Sequence, residues 1–137
     1  MDNRELQILL IDDDEVDVMN VQRAFEKNRM TNRIHVANNG LEGLQKLRDG
    51  SIGARRLVLL DLNMPRMSGI EFLRELRADE RLKPTCVVVL TTSNDERDKV
   101  EAYKLNVAGY LVKPVTFVDF VEVMATLKKY WTLVEMP

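Results

Sequence analysis

Carboxylates are concentrated at two points where the chain leaves an apolar run. Residues 6–11 end directly on Asp12, Asp13, Asp14 and Glu15, and five of the six residues from Asp12 to Asp17 are acidic. One or two acids at a helix start are accounted for by capping and by the helix macrodipole. Three consecutive aspartates exceed that need. Their mutual repulsion is most simply offset by a divalent cation, and hard oxygen ligands with retained water select Mg2+. The second point is Asp61, which closes the run Leu57, Val58, Leu59, Leu60 and is followed by Leu62, Asn63, Met64 and Pro65. An aspartate there either opens a turn before the proline or acts as a nucleophile able to form an acyl phosphate. Complementary groups end two further runs: the hydroxyl of Thr91 after 87–90, and the ammonium of Lys113 just before Pro114. Taken singly, Thr91 reads as a β-branched strand residue and Lys113 as a solvated lysine.

The elements that must position these groups follow from hydrophobic patterning. The unbroken apolar run 57–60 fits a strand buried on both faces, as in a parallel sheet covered by helices. Strands are also expected over 6–11, 34–37, 87–90 and 107–112. Between them lie amphipathic segments: 16–27 with Val18, Val21, Ala24 and Phe25 inward; a helix opened by Asn39 and Glu42 with the stripe Leu41, Leu44, Leu47; a helix opened by the capping box Ser68/Glu71 with Ile70, Phe72, Leu73 and Leu76 inward; and a helix capped by Ser93 and Glu96. Gly69 is expected to relieve crowding in the loop. A long final helix begins at Thr116 with the stripe Phe117, Phe120, Val121, Met124, Leu127 and Trp131.

Five strands alternating with five helices imply an α/β fold, a doubly wound five-stranded parallel sheet of order 2-1-3-4-5. Ligands of such sheets bind at the carboxyl edge, at the switch point between the first and third strands. Asp12, Asp13 and Asp61 would then share one crevice, with Thr91 and Lys113 at the neighbouring strand ends. Together these parts describe phosphoryl transfer to an aspartate. Asp61 is the nucleophile, and Mg2+ is held by Asp13 and Asp61, by Asp12 through water, and by the main chain of Asn63. Lys113 pairs with phosphoryl or carboxylate oxygens as a point charge, and Thr91 donates to a phosphoryl oxygen after transfer. Positioning and electrostatics carry such a reaction.

Composition narrows the classes. A chain of 137 residues with 45% hydrophobic and 31% charged residues reads as one globular domain spanning 1–137. A net charge of −2 gives no electrostatic footprint for nucleic acid or an anionic membrane. With neither an apolar leader nor a membrane-length run, a soluble cytoplasmic protein is expected. Cys86, the one cysteine, heads an apolar run and is read as buried and inert; His35, the one histidine, lies within a strand and is read as structural.

At Asp12 and Asp13, Asp61, Thr91 and the pair Lys113–Pro114, over nearly its full length, the chain resembles the response-regulator receiver domains of two-component signalling, which share a flavodoxin-like fold. The resemblance implies that Asp61 accepts phosphate from a histidine kinase, that Asp12 and Asp13 form the acidic Mg2+ pocket, that Thr91 and Tyr110 form a switch, and that the Lys113–Pro114 bond is cis. More narrowly, 90–94, 106–110 and the ending 130–137 look like the stand-alone regulators that partner bacterial phytochrome histidine kinases. Thr92 is bulkier than the residue common after the switch threonine, which predicts a narrower approach to Asp61.

Readings from other classes predict different residues. A haloacid-dehalogenase-type phosphohydrolase places its nucleophile after the first strand and wants a second Asp two residues on; two residues after Asp61 stands Asn63. A flavodoxin-like cofactor binder wants a Gly-, Ser- or Thr-rich phosphate loop where this chain has four acids. A receiver-like interaction module working without phosphorylation is the main alternative. Finally, Tyr130, Trp131, Leu133, Val134 and Met136 place five large apolar side chains in the last eight residues. A C-terminal arm over 130–137 that joins a homodimer through the last strand and helix is therefore expected, with Trp131 and Val134 continuing the inner stripe as the bland alternative.

Overall fold

A computed structural model describes residues 5–133 of the chain. Five strands, β1 (Gln7–Ile11), β2 (Ile34–Ala37), β3 (Arg56–Leu60), β4 (Cys86–Thr91) and β5 (Gly109–Val112), alternate with five helices. These are α1 (Glu15–Lys27), α2 (Gly40–Arg48), α3 (Gly69–Ala78), α4 (Glu96–Lys104) and α5 (Phe117–Leu133). All strand pairs are parallel, in the order β2-β1-β3-β4-β5. The doubly wound α/β fold expected from the alternation is the one observed.

Side chains alternate across a strand, so each apolar run is divided between two cores. Leu9, Ile11, Val58, Leu60, Val87 and Val89 face α2, α3 and α4, meeting Leu44, Phe72, Leu73 and Ala102. Ile8, Leu10, Leu57, Leu59, Val88 and Leu90 face α1 and α5, meeting Val21, Phe25, Phe120 and Met124. Residues 57–60 are wholly inaccessible, and burying each contributes about 2 kcal/mol. β3 is thus anchored on both faces, as β1 is, and Asp61 follows its last core residue directly.

Several local expectations need correction. The inner stripe of α2 is Gly40, Gly43, Leu44 and Leu47, while Leu41 is 48% exposed. A Cβ on Gly43 would lie 2.4 Å from Ile11 Cδ1, so the helix rests on β1 through the glycine. α4 is capped by Asp95, which accepts from the Arg97 N–H, and Ser93 instead donates from its hydroxyl to Asp98. β5 is shorter than expected because Val107 and Ala108 form its approach. Cys86 is half-buried, and burial pushes its thiol pKa up, which keeps it a weak nucleophile. No cis peptide bond occurs among the described residues, so Lys113–Pro114 is trans, the lower-energy form of an X–Pro bond by about 0.5–1 kcal/mol.

Other expectations hold. Ser68 and Glu71 form a reciprocal capping box at α3. His35 sits in β2 with its Nε2 2.9 Å from Gln7 Oε1, away from the acidic site. Trp131 is 5% exposed and packs its ring 6.1 Å from that of Phe25, continuing the α5 stripe. Leu133 is 84% exposed, whereas Val134 and Met136 of the expected arm lie outside the described residues.

Candidate functional site

The backbone ladder carries the site residues past the ends of the strands. Ile11 pairs with Leu60, so Asp12 and Asp61 emerge side by side, and the Asp61 N–H donates to Ile11 O at 2.9 Å. The Asp12 N–H donates to Ala37 O at 3.0 Å, and the Lys113 N–H to Thr91 O at 2.7 Å. Asp12, Asp61, Thr91 and Lys113 therefore project from a backbone fixed on at least one side.

The three aspartates after β1 have separate tasks. Asp14 is the N-cap of α1, accepting from the Val16 and Asp17 N–H groups. Asp12 is buried and accepts the Asp14 N–H at 2.9 Å, and Asp13 is exposed. Carboxylate oxygens of Asp12, Asp13 and Asp61 lie within 4.8 Å of one another, a spacing that one cation can bridge. Three hard oxygen donors with an exposed Asp13 on the open side suit Mg2+, which keeps part of its water shell. Asn63, on the loop after Asp61, is exposed, and its N–H lies 3.4 Å from Asp61 Oδ1.

Lys113 is the cation within this cluster. Its Nζ is 2.8 Å from Asp12 Oδ2, 2.7 Å from Asp17 Oδ2 and 3.6 Å from Asp61 Oδ2. Burial alone would lower its pKa, but Asp12 and Asp17 reverse that, and the net direction is upward, so the ammonium stays charged. Burial pushes the Asp12 carboxyl up to about 6 despite the lysine. Four carboxylates around one ammonium leave the pocket with an excess of negative charge, a demand for a further cation.

Thr91 is wholly buried and donates from Oγ1 to Asp61 Oδ1 at 2.8 Å. The hydroxyl expected to donate to a phosphoryl oxygen after transfer lies on the carboxylate before it. Tyr110 is half-buried against the α2–α4 core and donates from its hydroxyl to Ser93 O at 2.9 Å. Thr92 is exposed on the rim beyond Thr91.

Gly69 holds the Asp61 loop against α3. A Cβ there would lie 2.5 Å from Asp61 O and 2.6 Å from Leu62 Cα, and the Gly69 N–H donates to Leu62 O at 3.1 Å. Every site residue expected from the sequence except Tyr110 is thus at one end of the sheet around Asp61, with Tyr110 further back along β5, opposite Val89 of β4. What sequence reasoning missed is Asp17. Asp17 stands in the first turn of α1, but nothing in the acidic run marks it as the partner of a lysine 96 residues away.

Residues 8–125 match the family described as the response regulator receiver domain. The chain is 40% identical over 127 residues to the probable methanogenesis regulatory protein FilR2 of Methanothrix harundinacea, covering 90% of this chain and 82% of that one. It is 33% identical over 128 residues to response regulator Rcp1 of Synechocystis, covering 90% and 87%. The crystal structure of the phosphorylated cyanobacterial phytochrome response regulator RcpA, 30% identical, matches with a TM-score of 0.84 over 96% of this chain and 97% of that one.

Proposed function

The chain belongs to the response regulator receiver family, and from that premise we propose that Asp61 accepts a phosphoryl group from a histidine kinase with Mg2+ and passes the signal on through a change of surface. The observation that carries this reading is the convergence of a nucleophile, an acidic pair, a hydroxyl and an ammonium from separate strand ends. An Asp61 oxygen attacks phosphorus and the bond to the donor nitrogen breaks, leaving an acyl phosphate on Asp61 and the histidine on the kinase. The carboxylates of Asp12, Asp13 and Asp61, with the main chain of Asn63, would hold Mg2+, which offsets the charge brought together in transfer. Thr91, already 2.8 Å from Asp61, is placed to donate to a phosphoryl oxygen. Lys113 starts 3.6 Å from the same carboxylate and neutralises the product. The protein acts as a signalling phosphoacceptor that assists its own phosphorylation and dephosphorylation.

A bacterial phytochrome kinase is the proposed donor, supported by the relatives named for phytochrome signalling. The proposed output is the surface of α4, β5 and α5, where Val100, Tyr103, Val112 and Val118 are exposed. On the same side an apolar groove of about 330 Å3, lined by Val88, Leu111, Val123, Leu127 and Tyr130 among others, supports a homodimer. No described helix is long and apolar enough to cross a membrane. An interaction module that works without phosphorylation is the second reading. Phosphotransfer from a panel of purified histidine kinases, one a bacterial phytochrome, tests both. Rapid transfer from the phytochrome kinase supports the first reading; transfer from none supports the second.

A further inference from the structure

The nearest partner of Lys113 belongs neither to the acidic pair nor to the nucleophile. Asp17 Oδ2, in the first turn of α1, is 2.7 Å from Nζ, whereas Asp61 Oδ2 is 3.6 Å away, beyond hydrogen-bond distance. Asp12 and Asp17 thus hold Nζ back from the nucleophile, and closing the 3.6 Å gap to an oxygen on Asp61 draws Lys113 away from one of them. Asp12 is nearly inaccessible, at 2%, while the Asp17 side chain is 21% exposed and is more readily returned to water. Asp17 is therefore the partner to be released. It also stands outside the three carboxylates spaced for a cation, so a metal held by those three leaves its claim on the lysine intact. The helix does not need this side chain for capping, because Asp14 already caps α1.

We propose that Asp17 is a positioning residue that draws Lys113 off Asp61 in the resting site, favouring entry of the divalent cation and opposing capture of the phosphoryl group. The proposal rests on Asp61 being the phosphoacceptor. Its two effects have opposite signs. Without the Asp17 charge, Lys113 settles on Asp12 and Asp61, which are cation ligands, and the pocket is less negative, so the cation binds more weakly. The same change leaves the ammonium free for an anion on Asp61, which binds more tightly.

The test uses the full chain as wild type, Asp17→Asn and Asp17→Glu, with amide NMR shifts of the Asp61 loop reporting titration by Mg2+ and then by beryllofluoride at saturating Mg2+. Asp17→Asn is expected to weaken Mg2+ roughly three- to tenfold and to tighten beryllofluoride by a similar factor, the net scale of one ordinary hydrogen bond, as suits a partly exposed carboxylate. Asp17→Glu, which restores the charge, returns both toward wild type. A merely structural role weakens both together, and that result, or no shift in either, overturns the proposal. In the wild type itself, the Asp17 carboxyl carbon resonance is expected to move as beryllofluoride saturates the site; a resonance that stays in place also overturns it. A wild type that binds no beryllofluoride overturns the phosphoacceptor reading and this proposal with it, whereas failure in the Asp17 measurements alone leaves that reading standing.

Discussion

Replacing Asp12 by Asn is expected to make the metal-free protein more stable near neutral pH. Asp12 is 2% exposed, and burial raises its pKa from 3.8 to about 6 even with the Lys113 ammonium 2.8 Å away. A carboxyl whose pKa is raised on folding binds its proton more tightly in the folded chain. Its contribution to stability is therefore full below about pH 4 and is lost as the pH rises through about 6. Above that range the ionised group costs about two pKa units at roughly 1.4 kcal/mol each, or about 3 kcal/mol. Asn resembles the protonated carboxyl in size and, like it, forms no ion pair with Lys113, so the substitution recovers most of that cost. The expected gain is about 2–3 kcal/mol, which for a domain of this size raises Tm by roughly 8–10 °C. Urea and thermal unfolding in a chelator, near neutrality and at about pH 4, read it out. Millimolar Mg2+ should narrow the gap, because the wild type gains stability by binding the ion and the variant gains less. A variant less stable than wild type near neutrality, or an equal gain at both pH values, would refute the reasoning.

Three further outcomes follow from the same geometry. Gly69→Ala is expected to destabilise by about 3 kcal/mol, because its Cβ meets backbone at 2.5 and 2.6 Å rather than a side chain that can yield; a urea midpoint close to wild type contradicts this. Beryllofluoride is expected to shift amide resonances in α4 and β5 as well as in the Asp61 loop, since Tyr110 and Thr91 sit on adjacent strands; shifts confined to the loop remove the switch. Light scattering is expected to find a dimer that Val123→Glu dissociates by placing a charge in the α5 groove. A chain ending at Leu133 keeps the buried Trp131 and so tests the arm while leaving the core intact.

What was legible in the sequence is what depends on local pattern and strand-end position. The run 57–60 identified the central strand because a strand buried on both faces must be apolar at every residue. Asp12, Asp61, Thr91 and Lys113 could be placed together because a parallel sheet brings every strand's carboxyl end to one edge. Capping boxes were legible where one candidate stood alone, as at Ser68, and not where Ser93 and Asp95 competed within three residues. The inner face of α2 was misread because apolar periodicity counts side chains, and the contact is made by the side chain that Gly43 lacks. Asp17 was illegible for another reason: its partner is 96 residues away, and nothing in a run of acids tells which one a distant lysine will take. The trans Lys113–Pro114 bond corrects an expectation that came from resemblance, not from these residues.

The most direct test of the central claim is to incubate the protein with a small acyl-phosphate donor and measure its intact mass. With Mg2+ the wild type is predicted to gain about 80 Da, one phosphoryl group on one carboxylate, while Asp61→Asn gains nothing and Asp13→Ala loses most of the gain. Phosphorylation that persists in Asp61→Asn, or that proceeds equally in a chelator, would contradict the account.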